Sequence, residues 1–555
     1  AEDMGVDSHC RLTESHALDD IGRLPAYARQ VQQQVHVRRH LTVIFLRQQA
    51  GHLYQMVGFG IGVGDALDVF QHLVSFHLCH GLGVGETPEQ LRCHLIDALV
   101  GALGTQHGGT EQLKRTAIVK LRGSNRHPFP EINHRLGDLK TYYAPAYAED
   151  RTVGSNPIQR PLDNLDNAGL IYCNIIYDKA PVMMDFLARK MGAEAFREGL
   201  REYLQTYAYS NATWDDLIAI FSRRASFDVA AWSHAWVKEA GMPCLDADTF
   251  DSDVMAYGWH PVSEEEAGLA YSRYAALDET SRMHSLMNLY ENVWRRRIDA
   301  RRFTQWAAGA LPEEQNPLLF GSLLGYAADA QRFSGEKPSV LENTLLSIAS
   351  DPCRDHDKRL QAFRQLSRIV EDPDICEQLY DIWYDRCPFS GLTLGEADYT
   401  DLSYQLMIRF FERADEIREE QRSRITNPDR LATFDFVARA AALYRFERDL
   451  FFFRTLMEAE NRRPESRGLS ALDLLCHPLR GEEAVVYIRP ALEILPEIQR
   501  TGDIFFPASW CRRLLGPQTS EAAKQEVETF LASHEDMHPL LKTKVLQAAG
   551  YLLQP

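Results

Sequence analysis

A chain of 555 residues has room for about three or four domains, each with an ample core, so neither disulfides nor a structural metal are required for folding. Its 60 Lys and Arg against 78 Asp and Glu leave a net charge of -18, which excludes the clustered basic surface needed to neutralise a nucleic-acid backbone. The ten cysteines lie scattered without a Cys-x-x-Cys pair and read as mostly buried thiols of a reducing, cytoplasmic setting.

The opening Ala1-Glu2-Asp3-Met4-Gly5 carries acids where a secretory leader carries basic residues, and its non-Met start reads as that of a fragment. The longest early apolar run, Leu41 to Leu46, is far too short to span a bilayer. Residues 1–140 hold 14 basic and 14 acidic residues, 12 of the 19 histidines and no tryptophan, whereas 141–555 hold all eight tryptophans and the whole net charge. The early part also places glycine at Gly58, Gly60, Gly62 and Gly64, repeats Gly-Leu-Gly-Val-Gly from Gly81, and offers few caps or amphipathic runs. Local signals that disagree count against a well-specified fold. Residues 1–140 therefore stay unassigned, either an out-of-frame or chimeric stretch or a divergent domain.

From 141 onward the signals agree. Met183, Phe186, Leu187 and Met191 fall on one helical face after Pro181, and Gly192 stands where a left-handed cap would end that helix. Phe196, Leu200, Tyr203, Leu204 and Tyr207 form the apolar stripe of the next helix. Thr213 with Asp216 predicts a capping box ahead of Leu217, Ile220 and Phe221. Trp232 and Trp236 share a face, and Gly241 with Pro243 ends their helix. From Glu264 onward helical stripes recur, such as Met283, Met287, Tyr290 and Trp294, and later Leu541, Val545, Ala548 and Leu552. They predict stacked helix pairs, an α-solenoid-like arrangement, though without a strict repeat period.

Tyr172-Cys173-Asn174-Ile175-Ile176-Tyr177-Asp178-Lys179, preceded by Asn156-Pro157-Ile158 and followed by Gly241-Met242-Pro243, resembles the tyrosine segment of the aminopeptidase N and leukotriene-hydrolase family of zinc peptidases. Ala180 replaces a glycine common in that family. Tyr257-Gly258-Trp259-His260-Pro261 and the run from Thr501 to Pro507 are similar to further parts of it, so the resemblance extends over about 140–555.

The resemblance implies a mainly α fold: the C-terminal helical part of a thermolysin-like catalytic domain over 141–245, a short remnant of a β-sandwich over 246–262, and a C-terminal helical domain over 263–555. It implies zinc as cofactor and peptides with a free N-terminus as substrates, with the helical domain capping the cavity against folded proteins. It assigns Tyr177 as the catalytic donor that holds the developing oxyanion opposite the metal, and Tyr172 to the substrate-binding cleft. On residue type alone, a tyrosine in an apolar run is more often a core residue with a satisfied hydroxyl.

The family binds zinc through His-Glu-x-x-His and a third ligand Glu about eighteen residues on, placed roughly 80 residues before the tyrosine. No such motif precedes Tyr177, and the family's Gly-x-Met-Glu-Asn anchor for the substrate amine is absent as well. No metal ligand is therefore assigned. The expectation is a chain inactive as written, or else a non-catalytic helical scaffold that binds peptides.

One literal His-Glu-x-x-His stands at His534-Glu535-Asp536-Met537-His538. Two such histidines share a metal only on a helix, yet a helical run ends near Ser533 and Pro539 suits the first turn of the next, so the motif is predicted at a helix junction. A glutamate nineteen residues past His538 would fall beyond Pro555. His36 and His40 enclose Val37 and two arginines that repel a cation, and His72, His77, Cys79 and His80 lack a second ligand pair. No glycine run fits a dinucleotide fingerprint or a Walker loop.

Overall fold

The structure, a computed structural model, describes residues 132–160 and 168–554. The glycine runs and the histidines between His36 and His80 lie outside these residues. The described elements are helical, and the only extended pairing among them is an isolated bridge between Cys244 and Trp259. Over the described residues the fold is mainly α, as the resemblance implies. The described residues fall into two compact units, one holding Met191–Phe227, the other holding 132–190 together with 228–554.

In the smaller unit, Thr213 accepts a hydrogen bond from the Asp216 amide at 3.2 Å while the Asp216 carboxylate accepts from the Thr213 amide at 2.8 Å. This reciprocal box opens the helix Trp214–Ser222, whose Leu217, Ile220 and Phe221 are buried. In the helix Ala193–Thr206 the buried positions are Phe196, Gly199 and Tyr203, and Phe221 stacks on Phe196 at 5.1 Å. Leu204 departs from the expected stripe and is 64% exposed. It lies one residue past Tyr203, a step of about 100° around the helix that carries it off the Phe196–Tyr203 face. Gly192 adopts φ +85° with an extended ψ of 142°, so a positive φ does end the preceding helix, but outside the left-handed helical well.

The larger unit begins with the helix His134–Asp138, capped by Asn133, which runs through a widened turn at Leu139–Tyr143 into the helix Ala144–Asp150. A second widened turn, Ile175–Lys179, leads into Ala180–Met191, and Ala180 N–H bonds the Ile175 carbonyl five residues back. From Glu264 to Ala548, helices succeed one another with short connections, and their apolar faces share one continuous core running from Ala267 to Leu552. Met283, Met287, Tyr290 and Trp294 are all buried on Glu279–Trp294, and Leu541, Val545 and Leu552 are buried at the end of the chain.

Buried and half-buried arginines tie helices to carbonyls of neighbouring ones. Arg359 donates to the carbonyls of Ala349 at 3.0 Å and Ser390 at 2.8 Å. Arg409 donates to Val370 at 2.6 Å and Arg368 at 2.7 Å, and Arg424 to Trp383 at 2.8 Å and Tyr384 at 2.9 Å. Arg480 reaches Ala440 at 2.5 Å. Several of these acceptors close helices, namely Ser339–Ser350, His356–Ile369 and Pro373–Asp385. Terminal carbonyls there lack partners in their own helix and carry the negative end of its dipole, so a guanidinium is the natural cap. The separations of 39 to 41 residues for Arg409, Arg424 and Arg480 give the helical region the module length of a solenoid repeat.

Candidate functional site

The tyrosine segment is fixed from beneath by a buried ion pair. Lys179 Nζ lies 2.8 Å from Asp150 Oδ2, with the side chains 1% and 0% exposed. A lone buried ammonium would cost several kcal/mol, and here it is surrounded by acceptors: it also donates to the Gly241 carbonyl at 2.9 Å and sits 5.4 Å from the centre of the Tyr257 ring. Asp150 is equally saturated. Its Oδ1 accepts from Ser155 Oγ at 2.5 Å and from Gly241 N–H at 3.2 Å, and its Oδ2 from Tyr257 OH at 3.0 Å. The network thereby joins the helix Ala144–Asp150, the tyrosine segment and the Gly241–Gly258 stretch. Gly241 stands at φ +101°, which spares an otherwise strained residue and lets both its N–H and its carbonyl face the pair.

Two further tyrosines clamp the same stretch. Tyr147 OH donates to the Gly258 carbonyl at 2.8 Å and accepts from the Gly258 amide at 3.0 Å, while Tyr143 OH donates to the Met255 carbonyl at 2.8 Å. Burial pushes the Tyr143, Tyr147 and Tyr257 hydroxyls well above the ordinary phenol range, so all three remain neutral donors. Phe186 makes edge contacts with Trp232 at 6.2 Å and Trp236 at 5.5 Å, which explains why the two tryptophans share a face.

Above this base lies the predicted pair. Tyr172 and Tyr177 are both half-buried, with ring centres 5.6 Å apart. Phe505, 48% exposed, extends the row at 6.3 Å from Tyr172. Tyr177 sits in the widened turn Ile175–Lys179, a backbone form frequent at functional sites. The structure thus brings Tyr172 and Tyr177 together and adds Phe505, a residue that sequence reasoning quoted within the Thr501–Pro507 run without giving it a role.

A second buried cluster adjoins Tyr172. Lys544 Nζ donates to the Tyr172 carbonyl at 3.0 Å. Around Lys544 stand Cys173, Glu149, Arg512 and Arg160, and burial is the largest influence lowering its pKa. Burial likewise raises the Glu149 carboxyl and the Cys173 thiol, and Glu149 Oε2 is buried without a hydrogen-bond partner. Glu149 and Lys544 are separated by most of the described chain, so no local signal pairs them.

Among the described residues no group of three or more His, Cys, Asp or Glu converges to hold a metal. These donors do not fit a zinc centre. His534 closes the helix Glu521–Ser533 and stacks on Phe530 at 4.2 Å, while His538 caps Pro539–Ala548 by accepting the Leu540 amide at 3.3 Å. The literal His-Glu-x-x-His therefore occupies a helix junction, the place its flanking residues predict.

A cavity of about 930 Å³ lies within the helical region, lined by Arg151 and Thr152 on one side and by Arg332, His477, Arg512 and Tyr551 among others. Tyr172 and Tyr177 do not line it. Arg151 is held at its wall by Glu291 at 3.0 Å and lies over the Tyr290 ring at 5.1 Å. No helix of the described residues is long and apolar enough to cross a membrane.

Comparison with known proteins places this geometry. The peptidase family M1 domain matches residues 119–236, a span that starts within the stretch left unassigned above and ends just before Gly241. Aminopeptidase M1-A of Oryza sativa is 31% identical over 102 residues, covering 18% of this chain and 12% of the rice protein. Aminopeptidase N of Streptomyces lividans is 29% identical over 107 residues, covering 19% and 12%. The alanine/arginine aminopeptidase of Saccharomyces cerevisiae is 26% identical over 147 residues, covering 26% and 17%. The matches thus span less than a fifth of each of these relatives. The tyrosine segment and its buried Asp150–Lys179 base thus lie within the stretch, residues 119–236, that matches the peptidase family M1 domain and is similar to these aminopeptidases.

Proposed function

We propose that this chain belongs to an enzyme that removes N-terminal residues from peptides, with the Tyr177 hydroxyl donating a hydrogen bond to the carbonyl oxygen as it becomes an oxyanion and Tyr172 lining the substrate cleft. The observation that carries the reading is the half-buried Tyr172–Tyr177 pair seated on the Asp150–Lys179 base. A donor contributes to the rate only if it is already in place when charge develops, and a turn anchored by a saturated buried ion pair is held in that way. Peptides with a free N-terminus are the substrate class, and the seven described cysteines, all unpaired, support a reducing, cytoplasmic setting.

A second reading is supported by one observation: no His-Glu-x-x-His precedes Tyr177 in the sequence. On that reading the chain is inactive as written and is a peptide-binding helical scaffold. Metal analysis alongside release of an aminoacyl fluorophore separates the two. Stoichiometric zinc with turnover that drops about 10²–10³-fold in Tyr177→Phe, the loss typical of one oxyanion donor, sustains the peptidase reading. Metal-free protein that still binds a labelled peptide but never cleaves it leaves the scaffold reading standing and sinks the first.

A further inference from the structure

The last described helix, Pro539–Ala548, packs against the start of the tyrosine segment and the stretch at Gly154–Asn156. Leu540 and Leu541 cluster with Leu170 and Ile171, immediately before Tyr172. Lys544 donates to the Tyr172 carbonyl at 3.0 Å. Gln547 donates at 3.3 Å to both the Gly154 carbonyl and Asn156 Oδ1. Gly154 lies so close that a Cβ there would stand 2.6 Å from the Gln547 amide nitrogen. Leu540, Leu541, Lys544 and Gln547 recur at helical spacing and form one face.

The Lys544 contact falls one peptide before the carbonyl from which Tyr177 is suspended. The Tyr172 carbonyl is held by the ammonium, and the next carbonyl, that of Cys173, accepts from both the Ile176 amide at 3.1 Å and the Tyr177 amide at 3.0 Å. The carbonyl held by the ammonium thus belongs to the peptide immediately before the one that anchors the turn carrying Tyr177. A leucine or methionine would have filled this 5%-exposed position without the cost of burying a charge. Cys173 and Glu149, both buried, stand beside the lysine.

We propose that Lys544 is a positioning residue for the Tyr172–Tyr177 pair, so that the end of the chain orients the donor of the reaction centre through one buried ammonium. The inference rests on the proposed role of Tyr177, but its geometric part is testable without turnover. The test places 3-fluorotyrosine at position 177 of the full chain and follows its fluorine resonance, with a second label at the remote, exposed Tyr444 as reference.

Lys544→Met, which keeps the length but loses the charge, is expected to shift or broaden the 177 signal while leaving the 444 signal in place, and Lys544→Arg to restore it. A signal that stays put in Lys544→Met, or that moves equally in Lys544→Met and Lys544→Arg, overturns the inference. If Lys544→Met loses its helical circular dichroism, Lys544→Gln, whose shorter side chain stops short of the Tyr172 carbonyl, is measured by the same criterion. Where the protein turns over an aminoacyl fluorophore, kcat is expected to fall about tenfold in Lys544→Met at unchanged KM. Turnover that survives Tyr177→Phe would remove the catalytic role of Tyr177 while leaving the resonance result to decide the role of Lys544.

Discussion

Two regions of the larger unit solve the same problem, a cation inside a protein, in opposite ways. In the helical region the buried Arg359 and the half-buried Arg409 and Arg424 guanidiniums are spent on backbone carbonyls of neighbouring helices, so each tie is local. Around the tyrosines the buried ammonium of Lys179 meets a carboxylate, and one ion pair gathers groups from Asp150 to Tyr257. The first arrangement is repetitive and divisible, as expected of a nearest-neighbour solenoid. The second has a single keystone. It lends rigidity to one place at the risk that a single substitution releases everything attached.

The keystone is therefore where the largest effect is expected. Asp150→Ala leaves the Lys179 ammonium buried without its counter-charge and also removes the acceptor of Tyr257, Ser155 and Gly241. Breaking a buried pair from one side costs about 3–5 kcal/mol. Urea unfolding should register that loss, and hydrogen exchange should show it first in 175–191 and 241–258. Exchange that stays slow there, with loss elsewhere, would mean the network is not the keystone.

Next in size comes acid. His477 is buried in the helical region, its Nδ1 accepting the Leu479 amide at 3.2 Å and its Nε2 lying 3.1 Å from Gln405 Oε1. Burial, with Arg409 and Arg480 nearby, pushes its pKa down to about 3. The unfolded chain then binds a proton below its ordinary value of about 6.5 that the folded chain refuses. Stability from this residue is complete above about 6.5 and falls as pH drops towards 3, by up to about 1.4 kcal/mol per pH unit. His477→Gln should flatten that slope between pH 6 and 4. An unchanged slope would assign the acid sensitivity to other groups, such as His284, lowered to about 4 by its burial.

The contrast also explains what the sequence discloses. Features encoded within one turn are legible from it: the Thr213–Asp216 box, the Met283–Trp294 stripe, and the helix junction at His534–His538, where Pro539 contradicts the metal motif. The Tyr172–Lys179 segment is legible through its family likeness. The repeat period is not, because it resides in contacts from arginines to carbonyls, and carbonyls leave no mark on sequence while arginine ordinarily signals a surface. Nor does spacing pair Asp150 with Lys179, or Lys544 with the Tyr172 carbonyl. One clue was available: Lys179 stands between Ile175–Tyr177 and the apolar face of the next helix, where a cation needs a buried partner.

Within the helical region the effects should be smaller and local. Arg359→Met keeps the aliphatic bulk of a side chain that is 2% exposed but strands the carbonyls of Ala349 and Ser390. Ser390 is exposed and can turn to water, whereas leaving the buried Ala349 carbonyl unsatisfied costs about 1–3 kcal/mol. Faster exchange should stay confined to the helices Ser339–Ser350 and His356–Ile369. Spread of the effect into the tyrosine segment would erase the distinction between modules and keystone.

The smallest effect tests the distinction from the other side. Arg301 and Glu336 form an ion pair at 3.0 Å across 35 residues, a reach comparable to that of the internal ties, yet their side chains are 59% and 48% exposed. If the spacing itself conferred stability, Arg301→Ala would resemble Arg359→Met. If burial does, water and salt already screen the exposed pair, and its loss should cost less than about 1 kcal/mol and vanish at high salt. Equal losses for the two variants would make the reach between helices the source of the strength, whereas a severalfold difference would assign it to the desolvated carbonyls that only the buried arginines can satisfy.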